Sequence, residues 1–193
     1  MFILEIIFKT HFKIINLTDI KVTINKQSLE NYPLNWRLKM NINDMLSTSA
    51  FLINFDGTSK KQVLDKLSKL AEIKLGINSR TLLENLTKRE KLGSTAVGNG
   101  IAIPHINVST IDRPHVFVST LINGLDFNSA DDLPVDIIFL LIAPDNGGSE
   151  HLQALALISR LLRNKELTTK LRGCKTPESA LAVISQSIRE VAA

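Results

Sequence analysis

Two hydrophobic periods alternate along most of this chain. Ser59 and Gln62 form a capping box ahead of Val63, Leu64, Leu67, Leu70 and Ala71, whose three- and four-residue spacing predicts a helix ending at Gly76. A second helix starts at Ser79 or Thr81, carries Leu82, Leu83 and Leu86 on its apolar side, and runs towards Arg89. The period then shortens. His115 to Leu121 alternates like a strand, and Val135 to Ile142 is a nearly unbroken apolar run, as expected of a central strand covered on both faces. Asp145-Asn146-Gly147-Gly148 reads as a turn, with Ser149 the N-cap of a third helix whose stripe is Leu152, Leu155, Ile158, Leu161 and Leu162. Asn164 to Gly173 predicts a short helix, and Thr176-Pro177 opens the last one, with proline in the tolerated first turn. Strands interspersed with helices predict an α/β sandwich.

Residues 1–39 do not share this clarity. They are rich in Ile, Lys and Asn, and hold the only tryptophan, Trp36, and the only tyrosine, Tyr32. Alternation over Ile20–Ile24 is a weak strand signal, and the apolar opening MFILEIIF lacks the basic start and small-residue cleavage site of a signal peptide. Met40 reads like a fresh N-terminus. The expected organisation is an appendage over residues 1–39, disordered or translated from an upstream start codon, and one domain over 40–193.

Composition narrows the class. With 193 residues, 44% hydrophobic and 22% charged, and a mean hydropathy of +0.10, the chain suits a soluble protein with a proper core. No apolar run approaches the ~18 residues of a membrane span, so no membrane insertion is expected. The lone Cys174 excludes an internal disulfide and points to a reducing compartment, hence the cytoplasm. The formal charge of +4 suggests nucleic acid, but residues 1–39 hold most of the excess. The rest has neither a basic stripe nor an aromatic platform, so no nucleic-acid partner is expected.

Candidate chemistry centres on residues 93–106, GSTAVGNGIAIPHI. Glycines allow close backbone approach, and Pro104 holds its predecessor extended, so this segment reads as a stiff strand end that presents His105. The plain alternative is an ordinary surface histidine. His151 falls in the first turn of the helix capped by Ser149, where free N–H groups and the positive dipole end suit a phosphate. His115 reads as structural, and His11 lies in the appendage. Two histidines could also suggest zinc, but no cysteine pair or HExxH motif accompanies them. No GxSxG, complete dinucleotide fingerprint or GxxxxGK[ST] loop is present. What remains is histidine with phosphate, and no nucleotide site.

Those residues carry a family likeness. Lys88-Arg89-Glu90-Lys91-Leu92-Gly93-Ser94-Thr95, then Val97-Gly98-Asn99-Gly100-Ile101-Ala102-Ile103-Pro104-His105, resembles the fructose/mannitol-type IIA proteins of the bacterial phosphotransferase system. The Arg-Glu-Lys-Leu-Gly-Ser-Thr wording is similar to the nitrogen-regulatory branch. The resemblance spans about Asn41 to Ile184, including Pro134-Val135-Asp136 and Glu150-His151-Leu152. It implies a mixed central sheet flanked by helices. It also implies a phosphotransferase component with His105 as phosphoacceptor, aided by His151 and Arg89, and with Ser94, Thr95, Gly98 and Asn99 supporting the phosphate. Neither metal nor cofactor is implied, because the donor is itself a phosphohistidine protein of the HPr kind. Downstream partners would be regulated target proteins or, in the sugar-specific alternative, the cysteine of a IIB domain. A third reading, an interaction module with a dead site, conflicts with retention of His105, His151, Arg89 and Pro104 together. Ile106 departs from the glycine usual in the family after the histidine, and is expected to stiffen or partly cover the site.

Overall fold

A computed structural model describes residues 42–145 and 150–192. The proposed appendage, the Asn146–Gly148 part of the turn and the Ser149 cap all lie outside the described residues. A short helix α1 (Ile42–Met45) and a 3₁₀ turn (Thr48–Ala50) lead into strand β1 (Phe51–Phe55). Helices α2 (Lys60–Leu75) and α3 (Ser79–Lys91) follow, then β2 (Ala96–Gly98), β3 (Ile101–Ala102), β4 (His105–Val108), β5 (His115–Leu125) and β6 (Val135–Pro144). Helices α4 (Glu150–Leu162), α5 (Lys165–Gly173) and α6 (Pro177–Ala192) complete the order.

The six strands form one mixed sheet in the order β1-β5-β6-β3-β2, with β4 also pairing β6. Strand β6 is its centre, antiparallel to β5 and parallel to β3 and β4. Its apolar run is explained by its two faces. Ile137, Phe139 and Leu141 pack with α4, α5 and α6, while Ile138, Leu140 and Ile142 pack with α2 and α3. Each fully buried aliphatic or aromatic side chain here contributes about 1.5–3 kcal/mol.

Local chemistry explains most helix ends. Ser59 Oγ accepts from Gln62 N at 3.2 Å, but the Gln62 side chain reaches back to Thr58 N, at 2.7 Å, instead of closing the expected reciprocal pair with Ser59. Gly76 caps α2 in the left-handed conformation at φ 68°. The cap of α3 is Asn78, whose Oδ1 accepts from Thr81 N at 2.9 Å, so the helix starts at Ser79. Asn164 caps α5 in the same way.

Three readings change. Strand β1 was not expected, because Phe51–Phe55 is too short to show a period; its parallel pairing with β5 makes it a strand. Strand β5 runs on to Leu125, and residues 116–121 are all buried, so its alternation marks two covered faces and not a wet one. In α4 the buried stripe is Ala154, Ile158, Leu161 and Leu162, and Leu152 is exposed. Cys174 is buried in the α4–α6 layer.

Candidate active site

Strands β3 and β4 are one parallel course along β6, broken at Ile103-Pro104. Ile101 pairs with Ile137 and His105 with Leu141, and between them Leu141 N donates to Pro104 O at 2.9 Å. Proline has no N–H to offer a further neighbour, which is tolerated at a sheet edge. Strand β2 covers the outer edge of β3 only. The last backbone link on that side is Ile103 N to Thr95 O, at 2.9 Å. Beyond it lies the turn that leaves α3. His105 therefore opens a strand whose outer edge faces the end of a helix, and it shares the sheet face of Leu141, the face covered by α4.

Arg89 in the last turn of α3 and His151 in the first turn of α4 meet His105 there. Arg89 Nε donates to His105 Nε2 at 3.2 Å, and Arg89 Nη1 donates to Gly93 O at 3.0 Å. The His105 and His151 rings lie 5.4 Å apart, edge to face at 64°. His105 Nδ1 lies 2.9 Å from Ile103 O. A carbonyl only accepts, so Nδ1 carries the proton, and Nε2 presents its lone pair to Arg89.

Electrostatics agree with that assignment. Burial holds His105 below the ordinary imidazole range, to about 4, and the Arg89 and His151 charges push the same way against the raising effect of the Ile103 bond. His151 is also lowered, by burial first and Arg89 second. Its Nδ1 is buried without a hydrogen-bond partner among the described residues. Both shifts favour the neutral ring. Arg89 has no carboxylate within ion-pair distance among the described residues, so its charge is uncommitted. A neutral, oriented imidazole beside a free guanidinium is suited to nucleophilic attack on a phosphoryl group and to stabilising its oxygens. No cluster of metal-ligating side chains occurs among the described residues.

The other expected site residues lie elsewhere. Gly98 ends β2 and Asn99 opens the turn of the β2–β3 hairpin, at φ 88° and 55°. This turn lies by the start of β6. Four residues of β6 register separate the β3 pairing from that of His105, about 13 Å at strand rise. Asn99 N donates to Asp131 Oδ2 at 2.7 Å, and Asn99 O accepts from Arg172 Nη2 at 2.8 Å. The hairpin reverses the chain and so sets these two residues apart from His105 despite their closeness in sequence. Ser94 and Thr95 brace the turn after α3. The Ser94 hydroxyl donates to Phe127 O, and the Thr95 hydroxyl donates to Glu90 Oε2 at 2.7 Å. Ile106 pairs with Ile142 and packs in the α2–α3 layer, on the face opposite His105, so it does not cover the site. His115 pairs with Ile142 at the start of β5, one position from Leu141, and so lies on the sheet face opposite His105. Glu90, buried beside Arg89, was quoted in the motif but not singled out. An acid directly after the arginine, with a threonine five positions on, was the available signal.

No helix among the described residues is long and apolar enough to cross a membrane. The model of the family described as "Phosphoenolpyruvate-dependent sugar phosphotransferase system, EIIA 2" matches residues 44–187. A nitrogen regulatory protein of Bradyrhizobium diazoefficiens is 40% identical over 76% of this chain and 95% of its own length. One from Pseudomonas aeruginosa is 37% identical over 74% and 94%. Among solved structures, nitrogen regulatory protein IIA-Ntr of Neisseria meningitidis superposes with a TM-score of 0.70 at 28% identity, covering 74% of this chain and 98% of that one. The mannitol IIA protein of Escherichia coli shares the fold, at a TM-score of 0.61 and 20% identity over 72% and 98%. With its mixed sheet, and with sequence similarity spanning the segments that meet at His105, the chain belongs to the EIIA 2 family of the phosphoenolpyruvate-dependent sugar phosphotransferase system.

Proposed function

We propose that this protein is a phosphohistidine carrier of the nitrogen-regulatory branch, acting in the cytoplasm. It takes a phosphoryl group on His105 Nε2 from an HPr-like donor, and its phosphorylation state governs binding to target proteins. The observation that carries this reading is the two-sided grip on His105: Ile103 O holds Nδ1–H while Arg89 Nε–H marks the Nε2 lone pair. In the transfer, the Nε2 lone pair forms the new N–P bond as the P–N bond of the donor phosphohistidine breaks. The donor imidazole recovers its electron pair, and the Nδ1 proton stays in place. Once Nε2 is bonded to phosphorus, the Arg89 donors turn to the phosphoryl oxygens. His151, at the positive end of α4, donates a further hydrogen bond to them. Leu92 and Leu152, which adjoin the Arg89 and His151 segments in sequence, are exposed and offer apolar contact to a protein partner.

The identity of 40% to a nitrogen regulatory protein favours this branch over the sugar-specific reading, where the Bacillus subtilis fructose-specific EIIABC component is 27% identical over 23% of its length. The test is incubation with Enzyme I, an HPr-type donor and labelled phosphoenolpyruvate. The expected product is acid-labile, base-stable, and located on His105 Nε2 by peptide mapping and ¹⁵N NMR. Label on His151, or none at all, would refute the proposal.

A further inference from the structure

Glu90 sits beside the reacting groups without touching the ring. Its side chain is 8% exposed, and all its bonds run to the turn after α3 and to α2. Oε1 accepts from Thr95 N and from Lys60 Nζ, each at 3.2 Å, and Oε2 accepts from Thr95 Oγ1 at 2.7 Å. Lys60, whose ammonium lies 4.8 Å from the Phe127 ring centroid, balances the charge, so the carboxylate forms no ion pair with Arg89.

These bonds close a circuit around His105. From Glu90 one arm passes through Thr95, whose carbonyl accepts from Ile103 N, to the Ile103 carbonyl that accepts the hydrogen bond of His105 Nδ1–H. The other arm passes to Arg89, the adjacent residue, whose Nη1 is tied to Gly93 O within the same turn and whose Nε donates to His105 Nε2. The turn itself is closed by Gly93 N to Glu90 O at 3.3 Å. Both ring nitrogens are thus referenced to one buried carboxylate.

We infer that Glu90 is a positioning residue: it clamps the α3–β2 turn so that His105 keeps its Nδ1–H tautomer and Arg89 stays aimed at Nε2. The inference rests on His105 being the phosphoacceptor. Without the clamp, Thr95 and the Ile103 carbonyl drift, and the imidazole regains the mixed tautomers of a loosely held ring. Breaking a largely buried ion pair is costly, and replacement by alanine leaves Lys60 with Asn128 and the Phe127 ring but no carboxylate. Glu90→Gln keeps the shape and lets the amide pair with Thr95. Thr95→Val removes only the hydroxyl bond and leaves the Lys60 pair intact.

The experiment combines ¹⁵N NMR of the His105 ring in the unphosphorylated full chain with the rate of labelling by a phosphorylated HPr-type donor. Glu90→Ala and Thr95→Val are expected to mix the tautomers and to slow labelling, Glu90→Ala by about 10-fold or more. Glu90→Gln is expected to hold the Nδ1–H tautomer and most of the rate. Should Glu90→Ala fail to fold by circular dichroism, Thr95→Val decides the matter alone. A folded Glu90→Ala or Thr95→Val protein that keeps the wild-type tautomer, at any labelling rate, overturns the inference. So does tautomer mixing with an unchanged rate. If the wild type itself takes no label, the carrier proposal fails, while the NMR comparison still decides whether Glu90 orders the ring.

Discussion

Each end of the course that β3 and β4 run along β6 holds an arginine, and the two arginines are treated in opposite ways. At the hairpin end, Arg172 is bidentate to Asp136, with Nε–Oδ2 at 2.7 Å and Nη2–Oδ1 at 2.8 Å, and Nη2 also reaches Asn99 O. Asp131 there takes Asn99 N and the Ser129 hydroxyl. Polar groups close on one another, and the guanidinium is committed to structure. At the Pro104 end, Arg89 faces a neutral imidazole and a carbonyl, and the nearby carboxylate is held by Lys60 and Thr95 instead. The same residue type is a staple at one end and a reserve of positive charge at the other. What distinguishes them is whether a carboxylate has been placed in front.

Substitutions at the two ends should separate these roles. The largest effect is expected for His105→Ala, which should abolish labelling while leaving the melting profile of a folded protein. Arg89→Ala should slow labelling about 100-fold, near 3 kcal/mol of transition-state stabilisation, and Arg89→Lys should restore only part because the planar fork is lost. Equal rates for Arg89→Ala and the wild type would erase the contrast. His151→Ala should still accept label on His105, about 10-fold more slowly, as for loss of one hydrogen bond to a charged group.

At the other end, Arg172→Ala should leave the labelling rate within about twofold of wild type but lower stability by about 1–2 kcal/mol in urea titration, since a partly exposed ion pair and its hydrogen bonds are removed. A rate loss matching that of Arg89→Ala would show that both ends serve the reaction. The remaining effect is on pH response. His105 is expected to titrate at about 4 by NMR, well below the ordinary 6.5. Between those values the unfolded chain binds the proton and the folded protein does not, so this group makes stability rise with pH from about 4 to 6.5 and level off above. His105→Gln should flatten that slope. A His105 midpoint near 6.5 would show an exposed ring and dissolve the site as drawn.

Legibility in the sequence follows the range of the interaction concerned. Helices α2 to α6 were readable because caps and apolar spacing act within a few residues. The buried run of β6 was readable because both its faces are covered. Strand β1 was not, since its identity comes from pairing with β5, far along the chain. The site divides in the same way. His105, Arg89 and His151 were accessible through motif resemblance and local setting. Gly98 and Asn99 were expected from the resemblance to support the phosphate, and the hairpin places them towards the other end of β6. Leu152 was read as core from its period, yet it is half exposed at the mouth of α4.

By itself the sequence determined the helices, the central strand and the candidate groups: an imidazole behind a rigid proline, an arginine at a helix end, a second histidine at a helix start. Short-range terms suffice for these, because hydrogen bonds of caps and the burial of a stripe involve neighbours within two turns. The tertiary structure decided which groups meet and which charges are left free. Sheet register sets His105 against Leu141, and the end of β2 leaves the outer edge open to α3. Lys60 and Thr95 engage the Glu90 carboxylate, which forms no ion pair with Arg89. Those outcomes depend on contacts between segments distant in the chain, which local pattern does not encode. They are what turn a histidine after a proline into a buried, oriented imidazole beside an arginine.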